Sequence, residues 1–168
     1  MITNSIKLFC DGSVNPQKKI GFGSYFLYCN QDTIESVKKN IKTKKFEDTS
    51  STKLELEVLL WALEDKELIG KDIIVYTDCQ NILGLENRRE KIEVNNCKTS
   101  SGKILKNHIL YKEFYKKIDE VECTFIKVKG HKPSQKKDMI DDLFTLVIVE
   151  VKHCLFKLLV HLKCINQI

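Results

Sequence analysis

The chain has 168 residues, of which 42% are apolar and 30% are charged, with a formal net charge of +5. This length and composition suit one globular domain with a substantial core. No apolar stretch reaches the roughly 18 uncharged residues that a membrane span needs, and the N-terminus lacks the basic start and apolar core of a signal peptide. We therefore expect a cytoplasmic monomer without a membrane role.

The cysteine pattern favours neither a disulfide framework nor a zinc site. The seven cysteines are odd in number, and none forms a Cys-x-x-Cys pair. Several fall in predicted strands, where a free Cys behaves as a small buried apolar residue.

Strand and helix signals alternate along the chain. The predicted elements are strands at 5–11, 21–29 and 33–42, a helix at 50–68, a strand at 72–78, a short helix at 79–85, an irregular basic segment to about 105, a helix at 107–119, a strand at 122–128 and a helix from about 138. Turn residues between the first three strands indicate an antiparallel meander. The later alternation indicates parallel strands joined by helices, so the prediction is an α/β fold with a mixed sheet.

Two aspartates follow strand-like runs. Asp11 comes after the apolar residues 6–10 and is predicted to end the first strand, and Asp78 follows the β-branched and aromatic residues 73–77. Ligands of open α/β sheets bind beyond the carboxyl ends of parallel strands, so we expect the two side chains to meet there. Carboxylates held together repel one another, and a shared proton or a divalent cation relieves the repulsion.

The predicted helix at 50–68 is apolar nearly all round and should be central and buried. Hydroxyl groups at residues 50–52 are candidate caps. Glu55 and Glu57 are the polar residues in the run 54–63, and a carboxylate buried without a partner costs several kcal/mol or stays protonated. A metal ion is one possible partner. The alternative is that Glu57, or both side chains, reach the helix end and solvent.

Two candidate site residues lie near the C-terminal end. His131 follows Gly130 in a predicted loop, and Asp141 lies at the edge of the core face of the last predicted helix. A lone loop histidine is more often a solvated residue than a catalytic one. His131 is a candidate catalytic residue only when it is considered together with the four acidic residues.

The basic residues are unevenly placed. They cluster at Lys38, Lys39, Lys42, Lys44 and Lys45, and again at Arg88, Arg89, Lys91, Lys98, Lys103, Lys106 and Lys112. Basic clusters around a group of carboxylates suggest a polyanionic substrate. The alternative is an ordinary solvated surface.

Taken together, these motifs resemble the type I ribonuclease H family over about residues 5–147. The matching motifs are Phe9-Cys10-Asp11-Gly12-Ser13 with Asn15-Pro16 and Gly21-Phe22-Gly23, then Thr52-Lys53-Leu54-Glu55-Leu56, Tyr76-Thr77-Asp78-Cys79-Gln80, Val128-Lys129-Gly130-His131 and Ile140-Asp141-Asp142-Leu143. Each motif alone is weak, but five in order are specific. The resemblance implies a ribonuclease H-like fold, a five-stranded mixed sheet whose first three strands are antiparallel, with helices on both faces.

The resemblance also implies an endonuclease that hydrolyses the RNA strand of RNA/DNA hybrids. Asp11, Glu55, Asp78 and Asp141 would hold two Mg²⁺ ions about 3.5–4 Å apart, with Mn²⁺ as a substitute. His131 would move protons or assist product departure. The implied hybrid-binding residues are Asn15, Ser51, Thr52 and Gln80, and the basic segment adds Arg88 and Arg89.

The chain departs from the family pattern in ways that affect substrate preference. Ser51-Thr52 stands where an Asn pair is common, Asn15-Pro16-Gln17-Lys18-Lys19 replaces a glycine-rich turn, and residues 86–112 lack tryptophan. A catalytically weak or silent hybrid-binding module is therefore an alternative function. The actin and sugar-kinase superfold begins similarly, but it needs two such domains.

The C-terminal residues do not resemble the family's charged closing helix. We predict a catalytic domain at 1–147 and an atypical apolar tail at 148–168, helical from the spacing of Leu155, Leu158, Leu159 and Leu162. The tail has three interpretations: a docked extension of the last helix, a helix for a partner or membrane surface, or a segment without selected function.

Overall fold

A computed structural model describes residues 5–129 and 138–165, with side chains described as far as His161. Its five strands form one mixed sheet in the order β3-β2-β1-β4-β5. The strands are β1 (Ser5–Asn15), β2 (Ile20–Tyr28), β3 (Lys42–Glu47), β4 (Asp72–Thr77) and β5 (Cys123–Lys127). The first three are antiparallel, and β4 is parallel to both β1 and β5.

Helices cover both faces of this sheet. They are α1 (Ile34–Asn40), α2 (Ser51–Leu63), α3 (Gln80–Leu83), α4 (Leu85–Val94), α5 (His108–Glu120) and α6 (Met139–Ile165). Successive strand residues point to opposite faces, so Leu8 packs with α2 and α5 while Phe9 packs with α1 and α6. The predicted fold class is confirmed.

The predicted strand at 33–42 is wrong, because a helix precedes the third strand. Thr33 caps α1: its hydroxyl accepts the backbone N–H of Ser36 at 3.2 Å, and the Ser36 hydroxyl accepts the backbone N–H of Thr33 at 3.1 Å. This reciprocal cap stabilises the first turn, and Val37 buries the inner face. Strand pairing begins only at Lys42.

The predicted irregular segment before residue 105 is also wrong in its first half. Residues Leu85–Val94 form α4, in which Leu85 and Ile92 are buried seven residues apart. Arg, Lys and Glu are good helix formers, so a basic sequence can be helical without being apolar. Only the segment after Val94 is irregular before α5 begins.

The predicted helix at 50–68 ends earlier. Helix α2 stops at Leu63, and a short 3₁₀ turn follows at Lys66–Leu68, where Asp65 accepts the backbone N–H of Glu67. The predicted hydroxyl cap is absent at Ser50 itself, whose side chain makes no cap hydrogen bond.

Glu57 has ordinary partners. Its carboxylate accepts the Thr49 hydroxyl at 2.7 Å and lies 3.4 Å from the Lys53 ammonium. These contacts satisfy the Glu57 carboxylate without a metal ion. Glu55 is then the carboxylate of α2 whose partner is still to be identified.

Helix α6 continues without a break through the predicted boundary at residue 147. Its buried face includes Leu143, Phe144, Val147 and Val151, so packing extends past that boundary. The division into 1–147 and 148–168 stays a prediction. Among the described residues, no helix is both long and apolar enough to cross a membrane.

Candidate active site

Asp11 lies inside its strand, whereas the sequence predicted that it would end the strand. Strand β1 continues to Asn15, and Asp11 pairs with Ser24 of β2. However, the parallel pairing of β1 with β4 ends at Phe9 and Tyr76. Asp11 therefore lies beyond the parallel part of the sheet, where ligands of such sheets bind.

Asp78 and Glu55 reach the same place from two other elements. Asp78 follows Thr77, the last residue of β4. Helix α2 crosses β1 so closely that a Cβ on Gly12 would lie 2.9 Å from Leu54 Cγ. Glycine at position 12 therefore allows the close approach that carries Glu55, the next residue of the helix, to the strand.

The three carboxylates repel one another electrostatically. Burial, and then the charge of Asp78, raise the pKa of Asp11 to about 7, while a hydrogen bond from the Gly12 backbone N–H and the charge of Lys152 act in the opposite direction. Burial raises the pKa of Glu55 well above its usual range, and the charges of Asp11 and Asp78 add to the increase. Like charges in a poorly solvated place favour the protonated form.

This donor set fits a hard divalent cation. Three carboxylates supply the oxygen ligands that Mg²⁺ and Mn²⁺ prefer, and a bound cation would remove the repulsion that raises the pKa of Asp11 and Glu55. Within residues 5–129 and 138–161, no three His, Cys, Asp or Glu side chains stand in a ready metal-binding arrangement.

Two thiols adjoin the acidic group, a feature that the sequence patterns did not single out. Burial and the neighbouring carboxylates raise the pKa of Cys10 well above its usual range. Burial also raises the pKa of Cys79, to which Glu55 and Asp78 contribute. Both residues therefore remain neutral thiols at physiological pH, because the thiolate would add a further negative charge.

Asp141 lies at the start of α6. Its carboxylate accepts the Asp138 backbone N–H at 3.1 Å, and its own backbone N–H donates to the Asp138 carboxylate at 2.9 Å. The carboxylates that raise the pKa of Glu55 are those of Asp11 and Asp78. The structure thus brings Asp11, Glu55 and Asp78 together, and Asp141 takes part in the cap at the start of α6.

The predicted hybrid-binding residues occupy accessible positions. Ser51 and Thr52 are exposed in the first turn of α2, and Gln80 is exposed at the start of α3. Asn15 ends β1, and its side-chain oxygen accepts the backbone N–H of Lys18 at 2.9 Å. His131 lies outside the described residues.

The side chains of Arg88 and Arg89 make hydrogen bonds to other groups of the protein. Arg88 donates to the backbone oxygens of Gly84 and Asn81 at 3.0 and 2.9 Å. Arg89 makes a bidentate ion pair with Asp119, in which its two terminal nitrogens lie 2.6 and 2.7 Å from the carboxylate oxygens. This pair joins α4 to α5.

A basic cleft of about 580 Å³ lies between the starts of α2 and α5. It is lined by Pro16, Lys19, Asp48, Thr49, Ser50, Lys53, Lys106, Asn107, Ile109 and Leu110. The N-cap residues Ser50 and Asn107 make no side-chain cap hydrogen bond, and the starts of both helices lie beside Lys19, Lys53 and Lys106. Sequence reasoning missed the cleft because these lysines are far apart along the chain.

Comparison with known proteins identifies the family. The family model described as RNase H matches residues 3–148, nearly the whole chain. The chain belongs to the RNase H family. The resemblance and the enzyme class predicted from the sequence motifs are thereby confirmed.

Bacterial relatives of this RNase H-family chain are similar along most of its length. A ribonuclease H of Caldicellulosiruptor saccharolyticus is 28% identical over 149 residues, which cover 88% of this chain and 98% of that protein. A ribonuclease H of Clostridium botulinum is 33% identical over 114 residues, which cover 63% of this chain and 71% of that protein.

Solved structures support the fold. A foamy viral protease-reverse transcriptase in complex with dsDNA superposes with a TM-score of 0.59 at 14% identity, over 84% of this chain and 90% of that chain. The native prototype foamy virus protease-reverse transcriptase gives a TM-score of 0.69 at 15% identity, over 88% of this chain and 20% of that chain. At this identity the likeness concerns the fold alone.

Proposed function

We propose that this chain hydrolyses the RNA strand of RNA/DNA hybrids with divalent cations held by Asp11, Glu55 and Asp78. One observation carries the proposal: the carboxylates of Asp11 in β1, Glu55 in α2 and Asp78, which follows β4, act on one another at the end of the parallel strands. Membership of the RNase H family supplies the reaction class. Asp141 is the proposed fourth carboxylate, with a smaller role because it caps α6.

In this reaction the protein would bind the cations and orient the carboxylates that hold them. When bound, two Mg²⁺ ions, or Mn²⁺ in their place, supply an activated water and stabilise the leaving oxygen. Asp11, Glu55 and Asp78 would hold the ions, and the Gly12 backbone N–H orients the Asp11 and Glu55 carboxylates by hydrogen bonding. His131 is proposed to carry a proton during turnover or to assist product departure, as a group titrating near neutral pH can.

The basic cleft is the proposed contact for a phosphate backbone. Lys19, Lys53 and Lys106 line this cleft together with Ser50 and Asn107, the N-cap residues of α2 and α5. Helix N-termini and lysines both favour phosphate, and their contacts carry no sequence preference. Ser51 and Thr52 lie beside the cleft residue Ser50, where their hydroxyls can donate to or accept from a 2′-hydroxyl.

Cleavage of a substrate panel tests the proposal. An end-labelled RNA/DNA hybrid is incubated with the full chain beside duplex RNA, duplex DNA and single-stranded RNA, each with Mg²⁺, Mn²⁺ or a chelator. We expect cleavage of the RNA strand of the hybrid alone, and only with a divalent cation. Cleavage of all RNA substrates at equal rates, or cleavage in chelator, would contradict the proposal.

The placement of Asp141 favours a second candidate, a hybrid-binding module with little or no activity. One oxygen of the Asp141 carboxylate, which the sequence assigns to the metal centre, accepts the Asp138 backbone N–H in the cap of α6. The same substrates separate the two candidates when hybrid binding is measured beside cleavage. Tight binding of the hybrid without cleavage in either cation would select the binding module.

A further inference from the structure

Strand β3 is an open edge of the sheet. It lies outermost in the order β3-β2-β1-β4-β5 and, among the residues that the structure describes, it pairs only with β2. Five of its six residues are exposed, and it contains no proline, glycine or bulge. Alternate residues of an edge strand point their backbone N–H and C=O groups away from the sheet, so β3 presents donors and acceptors with which a further strand can pair.

The charge of this edge is strongly positive. Residues 38–47 contain five lysines and one glutamate, Glu47, which is paired with Lys45. Two of the lysines lie in the last turn of α1 and three lie in β3 itself. A second copy of this chain is therefore a poor partner, because like charges on facing strands destabilise their pairing. The charge favours an acidic strand.

Two of the β3 lysines lie on the face of the sheet that α2 covers. The Lys44 ammonium is 5.2 Å from the centre of the Phe46 ring and 5.6 Å from that of Trp61 in α2. Lys42 shares this face and pairs with Asp65 at 2.5 Å. These contacts hold both ammonium groups beside the hydrogen-bonding edge, so that they do not extend across it.

The Lys44 ammonium is available to an incoming carboxylate. Within the described part of the chain it makes no ion pair, and its contacts are the aromatic rings of Phe46 and Trp61. Side chains directly opposite on paired strands have Cβ atoms about 4.5–5.5 Å apart, so a glutamate opposite Lys44 would reach its ammonium. That contact would not displace an existing ion pair.

We propose that β3 is a docking edge for an extended, acidic segment of a partner protein, which adds to the five-stranded sheet as a further strand. Backbone hydrogen bonds along β3 supply affinity, and carboxylates at alternate positions meet the lysines on the α2 face. A nucleic-acid strand matches the edge less well, because phosphate oxygens accept hydrogen bonds and would face the outward carbonyl groups of β3. None of the β3 residues belongs to the metal centre or the basic cleft, so this docking edge is independent of the proposed hydrolysis.

A peptide probe tests the charge complementarity. An unlabelled ten-residue peptide in which glutamate alternates with threonine is titrated into the full chain, in chelator and without nucleic acid. Trp61 is the only tryptophan of the chain and lies beside Lys44, so its fluorescence reports binding at this face. Calorimetry gives the affinity.

We expect saturable binding that changes the Trp61 emission. Lys44→Glu should weaken this binding by about tenfold, because an attractive pair across the strands becomes a repulsive one, and Lys44→Arg should retain it. The matched control is Lys127→Glu, which makes the same charge change at an exposed position of β5, the opposite edge of the sheet. This control should bind the peptide as wild type does.

Two methylated probes test the backbone pairing with the wild-type protein, so this test does not depend on the folding of a variant. One peptide carries N-methyl groups on every glutamate and the other carries them on every threonine. Only alternate residues of a paired strand direct their N–H groups to the neighbouring strand. One methylated peptide should therefore bind at least about tenfold more weakly, from the loss of several hydrogen bonds, while the other binds like the unmodified peptide.

The other outcomes would overturn strand addition, each in a different way. Equal binding of the two methylated peptides would show that charge alone attracts the probe. Tighter binding of a ten-nucleotide oligothymidine than of the peptide, weakened by Lys44→Glu, would assign the surface to nucleic acid. No binding of the peptide would mean that the lysines protect the edge from pairing. Hybrid cleavage enters none of these measurements, so their failure leaves the proposed function untouched.

Discussion

The charge of Asp78, the residue that follows β4, raises the pKa of Asp11 in β1, although the pairing of β1 with β4 ends before either residue. Asp78 is the first residue after β4, and Asp11 lies two residues beyond Phe9, the last residue of β1 that pairs with β4. The sheet therefore forces together two groups that would separate if only their own charges acted. We propose that a cation relieves this repulsion.

Metal-free stability should fall as pH rises. The folded pKa of Asp11 is about 7 and its ordinary value is 3.8, so between these values the folded state binds more protons than the unfolded state. The contribution of Asp11 to the free energy of unfolding must then decrease across this window, by at most about 4 kcal/mol, and the raised pKa of Glu55 acts in the same direction. Chemical denaturation from pH 4 to pH 8 in chelator measures it.

Added Mg²⁺ should reverse this loss, most strongly above pH 7, because the ion binds the deprotonated carboxylates. The control is Asp11→Asn, whose stability should depend less on pH. A wild-type stability that does not change between pH 4 and pH 8 in chelator would show that the carboxylates do not interact as described.

Asp141→Asn should be far less damaging to cleavage than substitution of Asp11. The Asp141 carboxylate accepts the Asp138 backbone N–H, and an asparagine oxygen can keep that hydrogen bond. We expect the variant to retain activity within about tenfold of wild type, as measured by single-turnover cleavage of the hybrid. Inactivity equal to that of Asp11→Asn would make Asp141 a full member of the metal centre.

Neutralising the cleft lysines should reduce the salt dependence of hybrid binding. For Lys53→Gln and Lys106→Gln together, the slope of log affinity against log salt should fall by roughly one unit for each phosphate that the protein no longer neutralises. Binding titrations at several salt concentrations measure the slope. Unchanged slopes would place the nucleic acid elsewhere.

Arg89→Gln is the contrasting variant. It removes the ion pair with Asp119 that joins α4 to α5, so we expect lower stability with a nearly unchanged salt slope. A salt slope that falls as much as in the lysine variant would instead place Arg89 on the phosphate backbone, as the sequence predicted.

Truncation tests how much of the tail belongs to the domain. A chain ending after Val149 lacks Val151, which is fully buried, whereas one ending after Leu155 retains it. A buried valine contributes roughly 2 kcal/mol, so the shorter chain should have a free energy of unfolding lower by about that amount, as urea denaturation measures. Both should still cleave the hybrid, since Asp11, Glu55 and Asp78 are upstream. Equal stability of the two chains would place the domain boundary before Val151.

The sequence predicted the sheet and the acidic group because both depend on local patterns. The run before Asp78 is β-branched and aromatic, and the helix around Glu55 is apolar on nearly every side. It could not predict α1, whose helix depends on the cap between Thr33 and Ser36 in a segment that otherwise has strand character. Where a local pattern fits both helix and strand, caps and tertiary packing decide which of the two forms.

Other features depended on the path of the chain in space. The basic cleft joins Lys19, Lys53 and Lys106, and no local pattern relates residues so far apart.

The central claim is that Asp11 helps to hold the cation that drives cleavage of the RNA strand. Its most direct test is the rate of Mg²⁺-dependent hybrid cleavage by Asp11→Asn, measured beside Asp72→Asn, which removes an exposed charge from the start of β4. We expect Asp11→Asn to lose at least about a hundredfold in rate while still binding the hybrid, because metal stabilisation of the transition state is worth several kcal/mol. Asp72→Asn should match wild type. Full activity in Asp11→Asn would contradict the assignment of the active site.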